Sequence, residues 1–474
     1  MGDEQDAVGI VGGGPAGLAT ALALRAHGLR ACVIEQGDWS TVRPGEHLSA
    51  AARPALERLG LQGLYDRALP CRGIESAWGS AEPTFHDLTL FAPFGGGRIV
   101  ARPRFDHALL AQARAQGIGC VERTRVLSAT YSRASGGTRG TWRVTLRSDT
   151  TQPQTREFCC LVDASGRAAS LARAQGARVV VHDRLVGVSA HAQPAGPRAA
   201  EPFNKLRIWS ARDGWWYLAT LPGGEQVATW MTDVQQVGQL AQREPWQKHC
   251  ARHFKAVEPD LRLPPALASA SWRRPRSFPA HSQYLSQPYG VGWIAVGDAA
   301  IAFDPLSSAG LAKALHGACA AADAIQQRLV GDSQAFARYA DTLRHDWQRY
   351  LAARCDYYRM EQRYPDAPFW RERQFEPISR QTITLDPHQR LQLAPGASAT
   401  SASEVLRHRV PELDGQALFE RLAVGEPAHA IVRDITARQG VDDHIAIVAL
   451  QLLIEHRVIS SVPLPARGMR LRLE

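Results

Sequence analysis

The sequence predicts an α/β protein in which a Rossmann-type dinucleotide-binding domain carries an inserted β-sheet and is followed by a small C-terminal helical domain. Three observations predict it: a strand, glycine loop, helix and strand open the chain, a second strand–turn–helix stands near residue 300, and the texture changes past Arg373. The length of 474 residues accommodates two or three domains, and 45% hydrophobic with 21% charged residues is an ordinary globular mixture. Disulfide scaffolds, collagen-like fibres and disordered chains are thereby excluded.

Residues 7–11 (AVGIV) read as a buried strand, 15–27 as a helix rich in alanine and leucine, and 31–35 (ACVIE) as a second strand. Between the first strand and the helix stands Gly12-Gly13-Gly14-Pro15-Ala16-Gly17, a G-x-G-x-x-G. Gly12 allows the tight turn, Gly14 lets the backbone approach a pyrophosphate, and Gly17 lets helix and strand pack closely. Pro15 and Ala16 open the helix whose N–H groups face the anion. Glu35, about 20 residues on, is the carboxylate for ribose hydroxyls. Alternating segments at 142–146 and 226–231 point to an inserted sheet.

The downstream motif decides between NAD and FAD. Residues 293–310, WIAVGDAAIAFDPLSSAG, put Gly297-Asp298 at the end of an apolar strand, followed by Asp304-Pro305 and a small-residue turn through Gly310. A helix opens at Leu311 and runs to 329, with helical character to about 363. A carboxylate at 298 suits ribityl hydroxyls, and the positive helix end at 310–311 stabilises the negative charge of a reduced flavin. A simple NAD dehydrogenase has no need of this second site, so FAD is the expected cofactor.

Past Arg373 the residues 381–403 are rich in Pro, Gly, Ser, Thr and Ala, as a linker would be. Helix-like stretches at 415–422, 427–438 and 441–457 precede a strand-like 458–462. The expected division is an interleaved FAD-binding domain at 1–175 and 275–375, and a substrate sheet domain at 176–274 plus part of 70–100. A linker at 376–410 and a helical domain at 411–474, with a winged-helix-like arrangement as one option, complete it.

In this order, GGGPAG, Glu35, Arg102-Pro103-Arg104-Phe105-Asp106, residues 161–167 (LVDASGR) and GDAAIAFDPLSSAG resemble the FAD-dependent monooxygenase, halogenase and reductase superfamily. The resemblance covers residues 7–373 and implies a glutathione-reductase-like FAD domain. It implies cofactor contacts from Arg102 and the Val126 backbone, and a strand-turn at Asp163 and Gly166 supporting the adenosine side. Arg43-Pro44-Gly45-Glu46 resembles the segment beside the flavin in the halogenase-like branch, and reads equally well as a helix start. Glu46, His47 and His281 are the candidate catalytic groups near the flavin, each with an alternative role as an ordinary structural residue. Trp215-Trp216 suits sheet core better than substrate wall, and Tyr357-Tyr358 suits helix packing.

Halogenases of this superfamily carry an essential lysine ahead of the mid-chain Asp-Gly region, and no lysine precedes Lys205 here. Halogenation is therefore disfavoured. Arg43-Pro44-Gly45-Glu46, Ala77-Trp78-Gly79, DPLSSAG and Pro368-Phe369-Trp370-Arg371-Glu372-Arg373 resemble more closely the flavoproteins that mature tryptophylquinone enzymes, those of quinohemoprotein amine dehydrogenase and of the lysine ε-oxidase group. That resemblance implies hydroxylation of a tryptophan in a partner polypeptide, with O2 as co-substrate and NAD(P)H, direct or through a separate reductase, as electron source. Hydroxylation of a free aromatic molecule, reduction of isoprenoid double bonds, and flavin-regulated nucleic-acid binding are the alternatives.

A net charge of +9 favours acidic partners without identifying nucleic acid, and the C-terminal helices carry only scattered arginines. The 8 cysteines form no C-x-x-C, so no metal site is expected, and they suit a reducing compartment. No apolar run is long enough for a membrane span, and the acidic start at 1–6 is unlike a secretory signal, so a cytoplasmic protein is expected.

Overall fold

The computed structural model describes residues 7–41, 43–89, 96–133, 140–149, 151–193, 204–238, 240–256, 271–374, 390–394, 397–407, 413–422, 426–441, 443–455 and 458–461. The acidic start at 1–6 and part of the expected linker, 376–389, lie outside them. The chain divides into two units, Met1–Gln374 and Phe375–Glu474.

In the first unit, Val8–Val11 lies at the centre of a parallel sheet, paired with Ala31–Ile34 on one side and Cys160–Asp163 on the other. Gly119–Val121 and Trp293–Ala295 extend it outward in parallel, and Tyr289–Gly290 closes one edge antiparallel. Val8, Ile10, Val33, Leu161, Val162 and Ile294 are fully buried, which is why these strands read as continuous apolar runs rather than alternating ones. Helices Pro15–Ala26 and Gly310–Leu329 bury alanine-rich faces in the same core. An antiparallel meander, Thr124–Ser132, Thr141–Ser148 and Gln154–Phe158, stands between two of the parallel strands in sequence.

A seven-stranded sheet has the order Arg276–Pro279, Leu185–Ala192, Gln226–Asp233, Gly214–Thr220, Lys205–Ala211, Gly73–Ala77, Thr84–Asp87. It corrects the expected division at two places. Arg276–Pro279 was expected in the nucleotide-binding part but pairs with Leu185–Ala192, whereas Val179–Val181 pairs with Gln283–Leu285 outside this sheet. Both are short strands whose neighbours are distant in sequence, so composition alone misplaces them. Trp209, Trp216 and Trp230 stand in register on adjacent strands, and Trp246 of helix Arg243–Ala256 covers them. Trp215 and Trp216 are thus sheet core, at 1% and 2% exposure.

The second unit has helices Ala399–Arg407, Gly415–Leu422, Ala428–Gln439 and Asp443–Glu455, with Leu391–Leu393 paired to Ile459–Ser461. The expected linker at 376–410 is corrected, because Leu391, Ala402 and Leu406 lie in this unit's core. Its Ser and Thr residues read as coil, yet Ala402 and Leu406 are spaced i, i+4 and bury one helical face. No helix among the described residues is long and apolar enough to cross a membrane.

Candidate flavin site

The glycine loop is shaped by close approach. Gly12 has φ +112°, and a Cβ there would lie 2.3 Å from the Ala164 carbonyl oxygen; one on Gly17 would lie 2.0 Å from the Gly12 oxygen. Helix Pro15–Ala26 begins without a side-chain cap or an acid in its first turn, as an anion-binding helix end should. Glu35, 5% exposed, accepts from Gly13 N at 2.6 Å and Gly37 N at 2.8 Å, with Arg43 Nη2 at 3.8 Å. Trp39, not singled out in the sequence, donates its indole N–H to Gly13 O at 2.6 Å.

Asp163 is fully buried and accepts from Ser165 N at 3.0 Å, Ser165 Oγ at 2.6 Å and Ala172 N at 2.7 Å. Its oxygens are spent on the turn through Gly166, which seats Ala164 against Gly12. Asp163 therefore shapes the loop from behind, within the strand-turn that the resemblance implies as support for the adenosine side. Val126 lies in the strand Thr124–Ser132 opposite Leu146, where the register shifts.

Arg102 is 8% exposed; its Nε and Nη2 donate to Asp106 at 3.2 and 3.1 Å, and its Nη1 donates to Pro44 O. Gly45, at φ +107°, passes so close that a Cβ would stand 3.0 Å from Arg102 Nη1. Arg102 thus pins the Arg43–Glu46 segment. No helix starts there: His47–Leu48 is a short strand paired with Ile99 and Arg98. Burial pushes the Glu46 carboxyl above its usual range, and burial together with Glu46 pushes the Tyr217 phenol well up.

Among the described residues His47 has no partner for either ring nitrogen, and burial pushes its pKa down to about 4. The unfolded chain takes up a proton below the ordinary value near 6.5 that the folded chain refuses until about 4. Stability therefore falls as pH falls through that window, by about 3 kcal/mol from this residue. His47→Phe is expected to remove that component, so the loss of unfolding free energy between pH 7 and 4 shrinks by about this amount. All 12 tryptophans precede residue 375, so their fluorescence in denaturant reads the first unit alone. An unchanged pH dependence in the variant would mean that His47 is not the neutral group.

The second motif docks on the first. A Cβ on Gly297 would meet the Ala16 methyl at 2.6 Å, which places Asp298 beside the start of helix Pro15–Ala26. Lys313 Nζ donates to Asp298 Oδ1 at 2.8 Å, and Arg167 Nε lies 3.7 Å from Oδ2. Burial alone would raise the Asp298 carboxyl, but these two cations hold it below the usual range. Asp304 caps the next turn, accepting from Leu306 N at 2.9 Å beside Pro305. Helix Gly310–Leu329 then starts with neither a side-chain cap nor an acid in its first turn, with Leu311 buried beneath.

His281 bonds through Nε2 to Gln283 Oε1 at 2.8 Å, and its carbonyl accepts from Arg167. It lines a cavity of about 630 Å³ with Asp183, Phe278 and Pro279. Among the described residues the three catalytic candidates thus do not form one hydrogen-bonded cluster: His47 has no partner for either ring nitrogen, and His281 is engaged with Gln283. Two other sequence motifs do meet. Trp78 packs edge-on against Trp370 with centroids 5.1 Å apart, and Gly79 N donates to Glu361 at 2.9 Å.

The tight glycine cradle, two uncapped helix ends and the carboxylates Glu35 and Asp298 fit an FAD: two phosphates, a ribose, a ribityl chain and a ring that becomes negative on reduction. The FAD binding domain family matches residues 5–348. The putative FAD-dependent oxidoreductase LodB of Marinomonas mediterranea is 32% identical over 383 residues, 78% of this chain and 97% of its own. Among solved structures, the myxobacterial chondrochloren halogenase CndH aligns with TM-score 0.68 and 23% identity over 78% of this chain and 85% of its own. QhpG, a peptidyl tryptophan dihydroxylase essential for tryptophylquinone cofactor biogenesis, aligns with TM-score 0.60 and 23% identity over 94% of this chain and 98% of its own.

Proposed function

Because the chain belongs to the FAD binding domain family, we propose that it is an FAD-dependent monooxygenase that hydroxylates an aromatic ring, and that the ring is a tryptophan of a partner polypeptide on its way to a tryptophylquinone cofactor. The observation that carries this reading is the absence of any lysine from the first 204 residues, in a chain 32% identical to LodB. The lysine that halogenase chemistry requires has no counterpart there. Lys205, Lys248 and Lys313 are tied to Glu75, Glu244 and Asp298 respectively. The chemistry named for QhpG supports the choice of a peptidyl tryptophan.

FAD supplies oxygen activation once reduced, with O2 as co-substrate and NAD(P)H, direct or through a separate reductase, as electron source. The glycine loop and helix Pro15–Ala26 would bind the phosphates, Glu35 and Asp298 would orient hydroxyls, and the start of helix Gly310–Leu329 would stabilise negative charge on the reduced ring. Glu46 is the proton-holding group of this reading, since its buried carboxyl favours the protonated form. The second unit provides surface for the partner chain, which a flavin pocket alone does not.

The test supplies reductant and oxygen to the purified flavoprotein with free tryptophan, small phenols, or a tryptophan-bearing peptide, and reads products by mass. Oxygen addition confined to the peptide tryptophan is expected. Turnover of free aromatics alone, or addition of halogen, overturns the proposal.

A further inference from the structure

We infer that Tyr350, Arg354 and Tyr358 are positioning residues that lock the 304–310 turn and thereby set where the start of helix Gly310–Leu329 stands relative to the flavin. The inference rests on FAD occupying this site, and not on the substrate. The three residues are spaced i, i+4, i+8 on helix Ala335–Arg359, so they share one face, and all are buried. That face holds Asp304 at both ends of the residue. Tyr350 Oη accepts from Asp304 N at 2.8 Å and bonds Ser282 Oγ at 2.6 Å. Tyr358 donates to Asp304 Oδ2 at 2.8 Å and accepts from Trp215 Nε1 at 3.2 Å. Arg354 donates to Asp183 Oδ2 at 3.1 Å, and its Nε lies 3.4 Å from Asp304 Oδ2. The Tyr350 ring also stacks on Phe303, with centroids 4.0 Å apart and planes within 6°.

The turn that leaves Asp304 needs this restraint. Asp304 Oδ1 accepts from Leu306 N, its carbonyl accepts from Ser307, and Ser308 then adopts φ +50°, a left-handed conformation that a residue with a Cβ takes up only when its surroundings dictate it. Two residues later Gly310 begins the helix whose first N–H groups have no side-chain cap. Asp304 anchors the upstream side of this strained turn, and the Tyr350–Arg354–Tyr358 face fixes Asp304.

A network that merely stabilised the core would lower the melting midpoint without distinguishing oxidised from reduced cofactor. A network that places a helix end must do so, because the dipole acts on the charge present only after reduction. Tyr358→Phe and Tyr350→Phe remove one hydroxyl each and keep the ring; Tyr357→Phe, on a residue 53% exposed and outside the network, is the control. Titration of the apoprotein with oxidised and with reduced FAD, alongside the midpoint potential of the bound flavin, gives the answer. In Tyr358→Phe the affinity for reduced FAD is expected to fall about tenfold more than that for oxidised FAD, about 30 mV lower in potential for a two-electron couple. Tyr350→Phe is expected to shift it in the same direction and Tyr357→Phe to leave it unchanged. A wild-type potential in both network variants, with or without a lowered melting midpoint, overturns the inference. No substrate is involved, so failure of the aromatic hydroxylation assay leaves this outcome readable.

Discussion

Gly17→Ala is expected to abolish FAD retention on purification and to weaken FAD binding by apoprotein more than about 100-fold, a loss of about 2.7 kcal/mol. In an exposed helix the same change stabilises by about 1 kcal/mol. Here the sign reverses because the new methyl would lie 2.0 Å from the Gly12 oxygen and 3.1 Å from the Ala164 methyl. The Gly12 oxygen is backbone and cannot rotate aside. Helix Pro15–Ala26 must therefore retreat from the loop, or Gly12 to Gly14 must move, and either would separate the N–H donors from the phosphates they are proposed to hold. Overpacking of this kind costs about 1–3 kcal/mol in stability on its own. Gly317→Ala, two turns into helix Gly310–Leu329, supplies the contrast, since among the described residues nothing lies within 4 Å of a Cβ there and the helix should tolerate it. Flavin absorbance per protein and titration of apoprotein measure both. Binding within threefold of wild type in Gly17→Ala would remove close approach as the reason for that glycine.

The contrast between those two glycines marks how far the sequence could be read. The first strand, loop, helix and Glu35 were legible because their pattern is local: a strand of apolar residues, a spacing of glycines and a carboxylate one strand later. The motif at Asp163 specifies a turn, and only the fold reveals that the carboxylate faces inward to Ser165 and Ala172. The resemblance implies that Arg102 reaches the cofactor, and the structure adds what the motif does not show, its bonds to Pro44 O and Asp106. The strand at Arg276–Pro279 and the core residue Leu391 were misassigned for a related reason, since each has its partner far along the chain. The face at Tyr350, Arg354 and Tyr358 carried a visible signal, three residues at helical spacing, but its partner Asp304 lies 46 residues before the first of them and no periodicity announces it.

Arg354→Met is expected to destabilise the first unit by about 3–5 kcal/mol at neutral pH, and the deficit should shrink as the pH falls. The side chains of Arg354, Asp183 and Asp304 are 2%, 10% and 1% exposed, so two carboxylates share a buried guanidinium. Burial would raise both carboxyls. Arg354, assisted by Arg373, outweighs it at Asp183, which lies below the usual range, whereas burial prevails at Asp304, which lies above it. Without the guanidinium burial is expected to prevail at both carboxyls and to hold their folded-state pKa values above the unfolded ones. The folded variant then binds protons that the unfolded chain does not, and gains stability as pH falls toward the ordinary carboxylate range near 4. In the wild type Asp183 contributes in the opposite sense, being fully stabilising above that range and lost below it, and Asp304 in the same sense as the variant, so between pH 7.5 and 5 the gap closes through the additional protons the variant takes up. Denaturant unfolding followed by tryptophan fluorescence at pH 7.5 and pH 5 measures the gap, and Asp304→Asn added to Arg354→Met should recover part of it at pH 7.5 by removing one of the stranded charges. A gap equal at both pH values would mean that the arginine acts through its volume, against Tyr358 at 4.9 Å, rather than through its charge.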